Sequence, residues 1–445
     1  MDKNNGAIYD ARKLGKPKMI ILGVQHMFAM FGATILVPIL TGLDISTTLL
    51  MAGLGTLLFH CITKFKVPAF LGSSFAFLGG YAAIKALSPD DPNSMLPYAC
   101  LGVACAGLIY FILAAIIKAV GIEKVMRFFP PVVTGPIIIA IGLGLAPSAV
   151  SNCTTNWFLA VIALAVIVVF NIWGKGMAKI IPIILGLLIS YGTGLVLYFI
   201  SQANPDLIQN VPWLFSGGAD ANGVYQPIFD FTSLNTICDN ISKGHIFGSE
   251  GLIGIPIHWD KTVFGGIDYS NGALIASSII AIVPIAFATM MEHIGDICAI
   301  SSTTGNNYIK DPGLHRTLVG DGLATTLASL FGGPANTTYG ENTGVLALTR
   351  VYDPRVIRIA AYFAVAVSFF PIVSVIIGSI PSCIIGGISF VLYGMISAIG
   401  VRNVVENKVD FTKSRNLIVA AVILVCALGL SSNTVSFAIG SAEIT

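Results

Sequence analysis

Charge is what this sequence has least of. Only 10% of its 445 residues are Asp, Glu, Lys or Arg, where an ordinary soluble domain carries about 25%. A chain with so little polar surface does not stay dissolved, which excludes a soluble globular protein. The formal net charge is only +2 and the cations are scattered through short stretches. No basic patch for nucleic acid exists, and no nucleic-acid partner is expected.

Metal and nucleophile motifs are missing as well. The eight cysteines, Cys61, Cys100, Cys105, Cys153, Cys238, Cys298, Cys383 and Cys426, form no C-x-x-C pair and keep no ligand spacing with His. No H-E-x-x-H occurs. Most of the cysteines lie in apolar runs and read as small buried side chains. Cys153 and Cys238 fall in two loops expected outside the membrane, which leaves a disulfide between them open. An intramembrane aspartyl protease would need a membrane-embedded Y-D and a G-x-G-D. Here Tyr352-Asp353 lies in a basic stretch, and Asp321 follows Val319-Gly320 without the earlier glycine. No catalytic residue, metal or cofactor is therefore expected. No cleavable leader is expected, because the apolar run after the polar first 18 residues is too long and has no small-residue cleavage site; it is expected to stay as the first span.

What is present is apolar length. Hydrophobic residues make up 55%, and runs of roughly 20, enough to cross a ~30 Å hydrocarbon core, recur through the chain. Spans are predicted at 19–42, 45–63, 68–86, 96–120, 132–148, 157–173 and 180–200, then at 273–302, 317–331, 334–348, 356–380, 382–401 and 417–430. The third and tenth are poor continuous helices. Pro68-Ala-Phe-Leu-Gly-Ser-Ser74 and Pro334-Ala-Asn-Thr-Thr-Tyr-Gly340 each predict an extended stretch followed by a half-helix. Cations mark cytoplasmic loops. With the N-terminus inside, all 24 cations except Lys85, Lys243 and Lys261 fall on the inner side. The 201–271 loop, with seven acids against two lysines, then lies outside.

The halves echo each other. Gln25-His26 returns as Glu292-His293, Gly53-Leu-Gly-Thr-Leu57 as Gly322-Leu-Ala-Thr-Thr326, Pro68-Ala69 as Pro334-Ala335, and Pro131-Val-Val-Thr-Gly135 as Pro381-Ser-Cys-Ile-Ile-Gly386. Seven spans separate each pair, and an odd separation inverts the second half, the plan of secondary transporters. The expected fold is an all-α integral membrane protein, a 7+7 inverted-repeat transporter with two broken spans. On this plan a fourteenth span is expected but missing before Thr445.

In such a fold, broken helices and intramembrane polar residues form the site. The stretches before Phe75 and Glu341 have backbone groups without helical partners; Gly72 and Gly340 serve either that purpose or close helix packing. Glu292 and Asp296 sit four apart on one face of the eighth span. Two charges there repel, so one is expected to hold a proton, making the pair a candidate for proton coupling. A structural pair satisfied by Ser and Thr is the alternative. Glu341 opens a half-helix whose N-terminus is partly positive. With an acid built in there, the site favours a neutral ligand with N–H donors over an anion. Phe75 stands at the break, where an aromatic face stacks on a planar ligand or simply packs in the core. His26 is carried as a further proton-coupling candidate because it is the repeat partner of His293. His293 itself, turned about 100° from Glu292, is the weaker candidate, and Asp321 is a further acid inside the ninth span. Lys85 and Arg350 end half-helices and are expected to snorkel.

At these residues the chain resembles the nucleobase-ascorbate transporter family, also called the nucleobase:cation symporter-2 family, and within it the bacterial uracil permeases. The family signature, an acid, Gln or Pro followed by N-x-G, four residues and T-R, reads here Glu341-Asn342-Thr343-Gly344, Val345 to Leu348, Thr349-Arg350. The resemblance extends to Phe28-Ala-Met-Phe-Gly-Ala33, Leu71-Gly-Ser-Ser-Phe-Ala-Phe77, Asp311-Pro-Gly-Leu-His-Arg316 and Asn336-Thr-Thr-Tyr-Gly340, leaving only the 201–271 loop unlike the family.

It implies a multi-pass carrier of the cytoplasmic membrane, embedded in the lipid bilayer, that imports uracil with protons and forms a homodimer. It also implies a cytoplasmic N-terminus (1–18), a core domain (19–120 and 272–380) that holds the substrate, a gate domain (126–200 and 381–445) and an outer loop (201–271). Glu292 and Glu341 would bind uracil through their carboxylates, with backbone groups of Phe75 and Gly340 and the neighbouring Tyr339 beside it. Glu at position 341 resembles pyrimidine carriers, whereas purine carriers often show Gln. Bacterial uracil permeases carry His where this chain has Asp296, so proton coupling rests among Asp296, Glu292 and His26. A carrier of xanthine or thymine, or an anion carrier of the same fold, is the alternative; the latter would place a cation at the half-helix.

Overall fold

The computed structural model describes residues 7–127, 130–179, 181–431, 437–439 and 442–444. The helices that make up its spans are, in chain order, α1 Lys16–Thr41, α2 Ile45–Ile62, α3 Leu78–Lys85, α4 Leu96–Val120, α5 Pro131–Cys153, α6 Trp157–Trp173 and α7 Pro182–Ala203. After a long loop come α8 Gly272–Ile282, α9 Ile285–Thr304, α10 Leu314–Leu330, α11 Gly340–Thr349, α12 Pro354–Ser368, α13 Pro371–Gly378, α14 Ser382–Glu406 and α15 Ser414–Ser431. Strands β1, Leu71–Ser73, and β2, Asn336–Thr338, precede α3 and α11. Among the described residues seven helices are long and apolar enough to cross a membrane, or eight if the bent pair α12–α13 counts as one.

Every expected span has a helix or half-helix, and both expected breaks are present. Several spans differ in detail. The eighth is interrupted at Val283–Pro284, because proline supplies no N–H to continue the ladder. The eleventh bends by 88° between Ser368 and Pro371 for the same reason. The fifth runs on to Cys153 despite Pro136 and Pro147 inside it. Cys153 and Cys238 form no disulfide: both are free thiols, Cys153 buried and Cys238 exposed.

The chain divides into two compact units. One takes in residues 1–129, 247–374 and 438–444, the other 130–246, 375–437 and 445. In the first unit, α2 packs on α12 and α10 on α4, so the second and eleventh spans repeat the pairing of the ninth and fourth. The approaches are close. A Cβ on Gly53 would lie 2.7 Å from the Ala361 carbonyl oxygen, and one on Gly322 would lie 2.6 Å from that of Gly107. Small residues that let backbones touch are how helices associate where lipid removes the hydrophobic drive. The N-terminal segment is strapped to this unit. Ile8 bridges Val351, the Ala11 amide donates to Asp353 Oδ2 at 2.7 Å, and Arg355 pairs with Asp10 at 3.0 Å. Hydrogen bonding from Arg12, opposed only by weak burial, holds the Asp10 carboxyl well below the usual carboxylate range.

In the second unit α5 packs along α14, and α6 packs between α7 and α14. Asn156 caps α6 by accepting from the Leu159 amide at 3.1 Å, and its Nδ2 donates to the Ser216 carbonyl at 2.9 Å. That bond anchors a hairpin, Ser216–Ala219 against Tyr225–Pro227, whose turn and short strands carry no apolar periodicity.

Candidate binding site

The two broken spans meet through their strands. β1 and β2 pair antiparallel with Leu71 opposite Thr338, Gly72 opposite Thr337 and Ser73 opposite Asn336. The Ser74 amide extends the ladder to the Ala335 carbonyl at 2.8 Å and the Tyr339 amide to Phe70 at 3.0 Å. Two three-residue strands do not hold by themselves. Neighbouring helices fasten them. Thr56 of α2 accepts from the Leu71 amide at 2.9 Å and donates to the Leu71 carbonyl at 3.1 Å. Thr325 of α10 donates to the Asn336 carbonyl, and Asn336 Nδ2 donates to the Met51 carbonyl at 2.9 Å. Thr56 and Thr325 are the matching threonines of the two echoed segments, so each repeat fixes its own strand in the same way.

Tyr339 locks the crossing. Its hydroxyl donates to the Ser73 carbonyl at 2.8 Å and lies 3.3 Å from Thr34 Oγ1. Its ring occupies the place of a Cβ at position 72, 2.5 Å from where that atom would sit. A Cβ there would collide with the ring, so glycine at 72 is what admits the tyrosine. Phe75 is half-buried in the same cluster, against Met30, Ala33, Phe70 and Tyr339.

Each strand leads into a helix start whose N-cap residue does not cap it with its own side chain. Tyr339, the N-cap of α11, makes no side-chain capping bond. Ser74 precedes the short 3₁₀ turn Phe75–Phe77 and caps nothing. Gly340, the first residue of α11, is exposed. Asp296 stands beside it: Asp296 Oδ1 is 3.5 Å from the point a Gly340 Cβ would occupy, and Asp296 Oδ2 accepts from Thr338 Oγ1 at 2.9 Å. Glu292, one turn earlier on α9, is exposed. Glu341 is the second residue of α11, and its side chain lies outside what is described. Thr338 thus supplies Asp296 with a hydroxyl donor.

His26 is fully buried in α1, and neither ring nitrogen has a hydrogen bond among the described residues. Lys85, expected to snorkel, instead donates to the Thr41 carbonyl at 2.8 Å and ties the end of α3 to the end of α1. His293, ranked below Glu292 in the sequence, is fully buried and faces two groups: Thr338 Oγ1 at 3.3 Å and Asp321 Oδ1 at 3.4 Å. Its spacing along α9 does point it away from Glu292. What spacing hides is that the buried side of α9 meets Asp321 of α10; the one available signal was an acid inside an apolar span.

Comparison with known proteins fits this arrangement. The profile of the permease family matches residues 17–435. A uracil permease of Bacillus caldolyticus is 39% identical over 421 residues, which cover 92% of this chain and 85% of that protein. The uracil permease of Bacillus subtilis (strain 168) is 38% identical over 423 residues, again covering 92% and 85%. Among solved structures, the transmembrane domain of the cyanobacterial bicarbonate transporter BicA matches 96% of this chain and 98% of its own with a TM-score of 0.65. At 14% identity that likeness shows the fold alone. With the signature intact at residues 341–350 and such identity along nearly its whole length, the chain belongs to the nucleobase-ascorbate transporter family of permeases and is a membrane transporter rather than an enzyme.

Proposed function

We propose that the chain is a uracil:proton symporter that imports uracil across the cytoplasmic membrane by alternating access. The observation that carries this reading is the exposed start of α11 with the Asp296 carboxylate beside it. A helix start brings roughly half a positive charge, and acids at and around it cancel that charge. An anion gains nothing from such a site. A flat neutral base does, because its N–H groups donate to carboxylates and its carbonyls accept from free backbone amides. The names of the similar permeases support uracil as that base.

In this reading Glu292 and Glu341 accept from uracil, and Gly340 and Phe75 offer backbone groups with Tyr339 behind them. Asp296, Glu292 and His26 are the candidates for the coupled proton. The unit built on residues 7–127 and 247–374 acts as the core, the other as the gate through which two copies form a dimer, and the N-terminus is cytoplasmic. The test is uptake of radiolabelled uracil by cells lacking their own carrier, with unlabelled bases as competitors. Uptake that uracil blocks and xanthine does not is expected. No uptake above cells carrying an empty vector would overturn the reading.

A further inference from the structure

We infer that the proton carried with the substrate is held by a buried pair behind the binding site, His293 of α9 and Asp321 of α10, and reaches the site through Thr338 and Asp296. The inference rests on the proton-coupled reading above and names where the proton sits.

Both side chains are 0% exposed, and His293 Nδ1 lies 3.4 Å from Asp321 Oδ1. Neither carboxyl oxygen of Asp321 has a hydrogen bond of ordinary geometry among the described residues, and the same is true of His293 Nε2. An ionised carboxylate so enclosed is costly unless it is paired. The groups around it supply no other cation. Tyr110 faces it from α4 with its hydroxyl donated to Thr289 of α9 at 2.6 Å, and Phe59 of α2 sets its ring edge-on to His293 at 6.2 Å. Glu292 and Asp296 are the ionisable neighbours on α9 itself, and both are acids. No Lys or Arg comes within ion-pair distance of Asp321 among the described residues. With the other ring proton on His293 Nε2, the pair is therefore neutral when it holds a second proton between Nδ1 and Oδ1, and carries a buried negative charge when that proton leaves.

A path for that proton is present. Thr338 Oγ1 donates to Asp296 Oδ2 at 2.9 Å, so its lone pair faces His293 Nδ1 at 3.3 Å and requires a proton on that nitrogen. The donors thus run in one direction, from His293 to Thr338 to Asp296. When Nδ1 gives its proton to the hydroxyl oxygen, the hydroxyl gives its own to Asp296. One proton leaves the pair and one arrives at the edge of the site, with no bond to carbon broken. Thr338 belongs to β2, one residue from Tyr339, so the link depends on the same ladder that sets the start of α11.

The test uses the full chain in liposomes and two assays. Uracil exchange at uniform pH needs no net proton movement. Accumulation driven by an acidic exterior does, and one proton per uracil concentrates the base about tenfold per pH unit. Asp321→Asn is expected to keep exchange within about threefold of the wild type, which is under 1 kcal/mol, while accumulation falls to the equilibrium level. Asp321→Glu should restore part of the gradient-driven step, and His293→Gln should behave as Asp321→Asn does. Accumulation by Asp321→Asn equal to wild type would overturn the inference and leave proton coupling standing. A wild-type protein that exchanges uracil but ignores the pH gradient would instead overturn proton coupling itself. If Asp321→Asn and His293→Gln both lose exchange along with accumulation, the pair is structural and the inference fails.

Discussion

Gly72→Ala should loosen uracil binding by displacing the Tyr339 ring behind the proposed site. The added methyl would stand 2.5 Å from Tyr339 Cε2, 2.6 Å from Cζ and 2.7 Å from Thr34 Oγ1. Ordinary contacts between carbon atoms lie near 3.5 to 4 Å, so the ring has to retreat by about 1 Å. It is not free to do so, because its hydroxyl is bonded to the Ser73 carbonyl at 2.8 Å. Overpacking of this kind costs about 1 to 3 kcal/mol. In the unliganded protein the strain relaxes by swinging Tyr339 out. Binding needs the start of α11 back in place, so the strain reappears as lost affinity, about 5-fold to 150-fold at 1.4 kcal/mol per decade. Calorimetric titration of the purified variant with uracil reads this directly. Gly79→Ala is the control: a methyl there meets nothing within 4 Å, and affinity should stay within about twofold, as for other surface changes. Gly72→Ala with wild-type affinity and thermal stability would refute the locked-ring account.

Glu292→Gln and Glu341→Gln each remove one charged acceptor, worth roughly 1.5 to 3 kcal/mol, and should weaken uracil at least ~10-fold by thermal-shift or calorimetric titration. Affinity within about twofold of wild type for both would defeat the proposed site. Single cysteines near Asp220 or Asp239 in a cysteine-free background should react with an impermeant thiol reagent from outside, and ones near Lys310 or Lys408 should not; the opposite labelling would reverse the proposed orientation. Asp353→Ala removes both the acceptor for the Ala11 amide and the cap that accepts from the Arg355 amide at 2.9 Å. A lost cap alone costs about 0.5 to 2 kcal/mol, so trypsin should cut after Arg12 at least about threefold faster, and an unchanged rate would show that the strap is held elsewhere.

The positions of both broken spans were legible because proline, glycine and β-formers interrupt apolar runs at Pro68–Ser74 and Pro334–Gly340. The pairing of those stretches was not. Leu71 and Thr338 are 267 positions apart in the chain, and three-residue strands carry no pattern that selects a partner or a register. Glu292 and Asp296 shared a face on spacing alone, since residues four apart on a helix always do. That Asp296 sits beside Gly340, and His293 beside Asp321, depends on how α9 is rotated against α10 and α11. The apolar pattern of α9 is too uniform to fix that rotation. The bend at Pro371 was missed for a related reason: the run 356–380 is apolar on both sides of the proline, and length argued for one straight helix where backbone chemistry makes two.

The fastening of β1 and β2 has a consequence for transport. Thr56 ties β1 to α2, Thr325 and Asn336 tie β2 to α10 and α2, and Tyr339 ties the strands to each other. Every one of these bonds is buried and lies within one compact unit. Buried hydrogen bonds left unpaired cost about 1 to 3 kcal/mol each, so separating the two half-helix starts would break several at once. On the proposed alternating-access cycle, movement between conformations therefore leaves the ladder intact, and the groups proposed to meet the cargo travel as one body. A proton site at His293 and Asp321 sits inside that same body, within reach of the ladder through Thr338. On the proposed symport, cargo and proton would then be coupled over a fixed short path, with the state of one felt by the other without any rearrangement between them.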